Sequence, residues 1–168
     1  MITVTKPSPL PYRRTDKFWW WADYKYKLTR NWVGTFEGRL APRAFRNEWI
    51  EILPLPSTNQ TQITMFSPYA WDGATAVRDC GGWKMALSSI FHDGIFQFTK
   101  AIADAWGWTI PEVLDFANDI FHEAMQQVDS CVQTVFWRSV QVVGTPFWYL
   151  AHWSEWSFWR KHKSQART

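Results

Sequence analysis

The chain's pattern predicts an α+β fold: a small N-terminal antiparallel sheet packed with three to four C-terminal helices in a single domain. Three observations carry this reading. Residues 1–80 hold short segments rich in β-branched and aromatic residues, separated by turn formers. From Lys84 onward, apolar residues recur at three- and four-residue spacing. No repeat or low-complexity tract breaks either half, and 168 residues is the length of one ordinary domain. The whole of 1–168 is therefore one domain: a strand-rich half (1–80), a helical half (81–150), and an aromatic, basic C-terminal segment (151–168).

In the first half, Phe18 to Leu28 is aromatic-rich, and its second part, Asp23 to Leu28, alternates by residue type. Trp49 to Leu53 and Gln62 to Phe66 are short and β-branched. Between them Pro54, Pro56 and Asn59 mark a hairpin loop. Pro68, Gly73, Gly81 and Gly82 then mark an irregular stretch. In the second half, Leu87, Ile90, Phe91, Ile95, Phe98 and Ile102 define one face of a helix from Lys84 to Ala103. Thr109, Pro111 and Glu112 form a capping-box start for the next helix, which runs to Val128. Its buried face is Val113, Ala117, Ile120, Phe121, Ala124 and Val128. A third helix is expected from Ser130 to Val143, stopped by Gly144 and Pro146. A last one, Trp153 to Lys163, is aromatic and basic-ended.

Composition narrows the function classes. The chain holds 14 Trp, 12 Phe and 5 Tyr against 8 Gly, and its two cysteines (Cys80 and Cys131) exclude a disulfide-built scaffold. The net charge of +3 comes from the C-terminal tail, where Arg160, Lys161, Lys163 and Arg167 are accompanied by no acid. The body is close to neutral, so no nucleic-acid partner is expected. Neither a signal peptide nor a transmembrane segment is expected: the N-terminus lacks an apolar run, and the most apolar stretch is interrupted by Arg138, Gly144, Pro146 and His152. Trp148, Trp153, Trp156 and Trp159 have the composition of an interfacial segment. The tail helix is expected to dock on another protein or on an anionic membrane surface.

Three groups of residues could carry chemistry. His92-Asp93 lies off the apolar stripe of its helix, with the two side chains diverging by about 100°. That geometry fits a solvated surface pair, and equally an imidazole aimed at a substrate beside a carboxylate aimed at an ion. Asp115, Asp119 and His122 form a polar stripe on the following helix. If the two helices pack antiparallel, a carboxylate of this stripe reaches His92 and orients it. The turn at Asp72-Gly73 offers a carboxylate and backbone carbonyls, the donors a hard cation prefers, and also reads as an ordinary Asp-Gly turn. No Gly-rich phosphate loop, no G-x-S-x-G elbow and no close pair of zinc ligands is present.

In order, YAWDGAT (Tyr69 to Thr75), KMALSSIFHDGIF (Lys84 to Phe96), FANDIFHEAM (Phe116 to Met125) and VQVVGTPFW (Val140 to Trp148) resemble a phage and prophage family of unknown function, domain family one-three-five-three. The matched polar positions are Asp72, Gly73, His92, Asp93 and Asp119, and the match spans about half the chain. The resemblance implies a phage-encoded virion component or accessory protein, found in the virion or host cytoplasm, with other phage structural proteins as partners. A looser similarity is to the phospholipase A-two enzymes, which carry a His-Asp pair on one helix and an Asp on its partner. That similarity implies a calcium-assisted ester hydrolase, with His92 as general base and Asp119 as its orienting carboxylate. Asp93, Asp72 and the carbonyl of Gly73 would then hold calcium. Phe96 stands where both families often carry a phenol.

Overall fold

A computed structural model describes residues 12–14, 26–71, 83–127 and 146. The described N-terminal part forms two antiparallel sheets and the C-terminal part three helices, so the α+β expectation holds. The first sheet joins β1 (Tyr12–Arg14), β2 (Tyr26–Leu28) and β7 (Ala70–Trp71) in the order β1-β2-β7. The second joins β3 (Trp32–Phe36), β4 (Phe45–Arg46), β5 (Ile50–Leu55) and β6 (Gln60–Met65) in the order β3-β6-β5-β4.

The β5–β6 hairpin forms between the expected strands with its turn at Pro56 to Asn59, tighter than expected, because Pro54 is part of β5 and not of the loop. Thr58 N–H returns to Leu55 O at 3.1 Å, and Asn59 adopts a positive φ of 53°. β5 continues past Leu53 to Leu55, with Pro54 opposite Thr61. Register puts Met65 beside Trp32 and Ile50, and Ile63 beside Gly34 and Ile52. Ile50, Ile52, Ile63 and Met65 are fully buried on this inner face.

The inner face packs against α1 (Trp83–Gln97) at close range. A methyl group at Gly94 would come within 2.6 Å of Met65 Cε, so glycine lets this turn of helix lie on the sheet with Met65 in its present place. The Phe36 and Phe91 rings meet edge to face at 5.1 Å. Trp71 Nε1 donates to Ala86 O at 3.2 Å, which ties the first sheet to the start of α1.

The continuous helix expected from Lys84 to Ala103 is instead two helices, α1 and α2 (Thr99–Trp106), meeting at Phe98. The Thr99 hydroxyl donates to Ile95 O at 3.0 Å and to Phe96 O at 2.9 Å, so these carbonyls have a partner other than the helix ladder. Apolar spacing runs unbroken across the joint, since Ile95 and Ile102 are both fully buried. Gly107, at φ +70°, ends α2. α3 (Ile110–Gln127) starts at the expected capping box: Thr109 N–H and Thr109 Oγ1 donate to Glu112 Oε2 at 2.6 and 2.8 Å. These two donors hold the Glu112 carboxyl below the usual carboxylate range.

No helix among the described residues is long and apolar enough to cross a membrane. The expected helices at Ser130–Val143 and Trp153–Lys163, and both cysteines, lie outside the described residues.

Candidate functional site

His92 projects from α1 toward α3. Its side chain is only 12% exposed, against 27% for Asp93. The imidazole stacks on Phe96 of its own helix, with ring centres 4.8 Å apart, and meets Phe121 of α3 at 5.2 Å. Nδ1 lies 3.3 Å from Asp93 Oδ1, and Nε2 lies 3.2 Å from Asn118 Oδ1. The two side chains expected to diverge therefore converge on each other.

Chemistry selects an amide as the second partner. A neutral imidazole carries one N–H and one lone pair. When Nδ1–H donates to Asp93, Nε2 needs a donor, and a half-turn of the Asn118 side chain supplies its NH₂. A carboxylate on each nitrogen would demand a full imidazolium between two phenylalanines, at a desolvation cost. Asn118 is 3% exposed and sits in the buried row Leu114, Asn118, Phe121, Met125 at helical spacing.

Asp119, expected to orient His92, points elsewhere. Its Oδ2 lies 3.2 Å from Arg39 on the loop after β3, and its side chain is 43% exposed. Consecutive helix residues turn by about 100°, so only one of Asn118 and Asp119 can face α1. The apolar contacts of α3 give that place to Asn118. Burial raises the Asp119 carboxyl above the ordinary range, with Arg39 opposing, Asp115 adding to the rise and His122 opposing it. Asp115 and His122 share this outer face as the stripe predicts, and His122 Nε2 lies 3.3 Å from Gln126 Nε2.

One turn on, Glu123 grips the same loop. Its Oε1 accepts the Glu37 N–H at 2.6 Å, and its Oε2 accepts the Gly38 N–H at 2.9 Å. Glu123 and Asn118 are the two polar residues that sequence reasoning passed over. Asn118 was visible as a polar residue within the row of Leu114, Phe121 and Met125. Nothing local marks Glu123, since its targets are backbone amides 85 and 86 residues away.

Asp72 and Gly73, the remaining expected cation ligands, lie outside the described residues. Among the described residues no group of three or more His, Cys, Asp or Glu side chains could hold a metal ion. Asp93 faces His92, so the described residues contribute no calcium set beyond that one occupied carboxylate.

No family model, curated protein or solved structure matches the chain.

Proposed function

We propose that the chain is a phage-encoded virion component or accessory protein that works by binding other proteins, and that His92 joins α1 to α3 as a structural residue. The observation that carries the second half is the engagement of both ring nitrogens of His92, between two phenylalanine rings and at 12% exposure. A general base needs a lone pair within reach of water or substrate, and here Asn118 occupies that direction. The phage assignment rests on the resemblance of the four motifs, in their order, to the phage and prophage family, and the partner class rests on the 14 Trp, a residue type that anchors protein interfaces.

A second reading, ester hydrolysis with calcium, has one geometric point in its favour: a carboxylate at Nδ1 is how a general-base histidine is held. On that reading Asp93 takes the orienting role expected of Asp119, and Asn118 must swing away before Nε2 can take a proton from water. Asp72, Gly73 and the second oxygen of Asp93 are the residues that would hold the cation.

One set of measurements separates the two readings. Purified protein is assayed against soluble esters and phospholipid vesicles with and without calcium, and gradient-purified particles from cells carrying the gene are analysed for the chain. The structural reading expects the chain in the particles, no hydrolysis, and a lower melting temperature for His92→Asn. Calcium-dependent hydrolysis that disappears in His92→Asn while the melting temperature stays put would overturn it in favour of the enzyme.

A further inference from the structure

Connecting loops are usually the loosest part of a surface, yet the one between β3 and β4 is fastened along its length. Glu123 of α3 accepts the Glu37 and Gly38 amides at 2.6 and 2.9 Å, and Asp119 meets the Arg39 guanidinium at 3.2 Å. The fully buried Thr61 of β6 accepts the Ala41 N–H at 2.8 Å and donates to Arg39 O at 2.7 Å. Arg43 donates to Trp106 O at 3.1 Å, at the end of α2. Three elements distant in sequence thus hold a stretch that is exposed at Glu37 to Leu40 and again at Pro42 to Ala44.

This framework presents Leu40. The residue is 36% exposed, and Val33 is the other exposed large apolar residue among the described ones. The backbone on either side of Leu40 is pinned to Thr61, through Arg39 O and the Ala41 N–H. Pro42 follows, with its φ fixed by the ring. Arg43 is exposed and spends one nitrogen on Trp106 O, and no carboxylate among the described residues pairs with it. Arg39 and Arg46, by contrast, each meet an acid. The loop therefore carries an uncompensated positive charge three residues from an apolar side chain.

We infer that residues 37–44 form a pre-organised docking loop for a partner protein: Leu40 enters an apolar pocket, and Arg43 meets a carboxylate on its rim. The inference rests on the protein-binding reading above and names the surface and the partner chemistry. A loose loop must be ordered when it binds, whereas one already held by α2, α3 and β6 has met that cost in folding. An apolar centre beside a polar rim is the usual build of a protein interface. An arginine with no acid of its own complements an acidic rim and steers the choice of partner.

Incorporation into gradient-purified particles tests this with the full chain. A photo-reactive amino acid is placed at position 40 or, as a control, at the exposed hairpin residue Ser57, and crosslinks are identified by mass spectrometry. Position 40 should crosslink to one other particle protein, and position 57 should not. Leu40→Asp should lower incorporation about tenfold or more while its melting temperature stays near the wild type, since the side chain is exposed. Arg43→Gln and Arg43→Glu both lose the Trp106 contact, so a larger loss of incorporation for Arg43→Glu reads an acidic rim on the partner. Glu123→Ala leaves Leu40 and Arg43 in place and should lower incorporation by loosening the loop. Wild-type chain in the particles, with Leu40→Asp and Arg43→Glu incorporated equally well, overturns the docking loop and leaves the protein-binding reading standing. Absence of the wild-type chain from the particles overturns both.

Discussion

Asn118 and Asp119 are neighbours on one helix and do opposite work. Asn118 turns inward, nearly inaccessible, and meets an imidazole packed between two phenylalanines. Asp119 turns outward, 43% exposed on its side chain, and meets an arginine on a loop. The inner contact pairs an imidazole with an amide, is geometrically demanding, and joins two helices of the core. The outer contact is charged and partly screened by water, and with Glu123 it fastens a loop. The contrast shows how burial chooses chemistry: an amide can complement a neutral imidazole without importing charge, whereas a carboxylate is tolerated where water and arginine share its cost.

If that contrast is sound, the largest effect comes from the inner contact. Asn118→Ala leaves a nearly buried ring nitrogen without its partner and opens a small void, and should cost about 2 kcal/mol in urea unfolding. The double change His92→Leu with Asn118→Leu removes both partners and should recover much of that loss, since neither side of the His92–Asn118 contact is then left unpaired. A double variant as unstable as the sum of its parts would show that the two side chains are not coupled.

The outer contact should respond more weakly. Gly38→Ala pushes on the Glu123 carboxylate by a few tenths of an ångström, and the loop is free to shift. Its cost in the same urea series should stay below about 1 kcal/mol. A loss equal to that of Asn118→Ala would mean that the loop after β3 is as integral to the fold as the α1–α3 contact.

The two regions also differ in how far they can be read from sequence. The β5–β6 hairpin and the Thr109–Glu112 cap are local: prolines, Asn59 and a Thr-x-x-Glu spacing specify them within a few residues, and both form where expected, the hairpin with a tighter turn. The helix break at Phe98 is also local but hidden, because the buried spacing continues through it and a single threonine hydroxyl supplies the alternative carbonyl partner. His92 and Asp93 were legible as polar residues on an apolar helix. Their partner was not, because the choice between Asn118 and Asp119 depends on how α3 is rotated against α1, a tertiary fact. Carboxylates orient catalytic histidines, which points to Asp119, whereas the buried row of Leu114, Phe121 and Met125 turns Asn118 inward. The hold of Glu123 on the loop after β3 is not legible in the sequence, since it joins residues more than 80 positions apart through backbone amides.

The smallest and sharpest test uses pH to compare two carboxyls of α3 whose shifts have opposite sign. Glu112 is held below the ordinary range by the Thr109 amide and hydroxyl, so its ionised form stabilises the fold. That contribution is present above the unfolded-state range and is lost as pH falls through the lowered folded value. Asp119 is raised, chiefly by burial, so its ionised form burdens the fold. The burden is present above the raised folded value and fades as pH falls toward the unfolded value. Glu112→Gln should therefore melt below the wild type at pH 7, and Asp119→Asn at or slightly above it. Both differences should narrow as the pH is lowered toward 3.5, one from each side. Melting curves of the three proteins at half-unit pH intervals would show this convergence. An Asp119→Asn chain that melts clearly below the wild type at neutral pH, with the gap closing in acid, would mean that attraction to Arg39 outweighs burial. The outer contact would then stabilise the fold as well as fasten the loop.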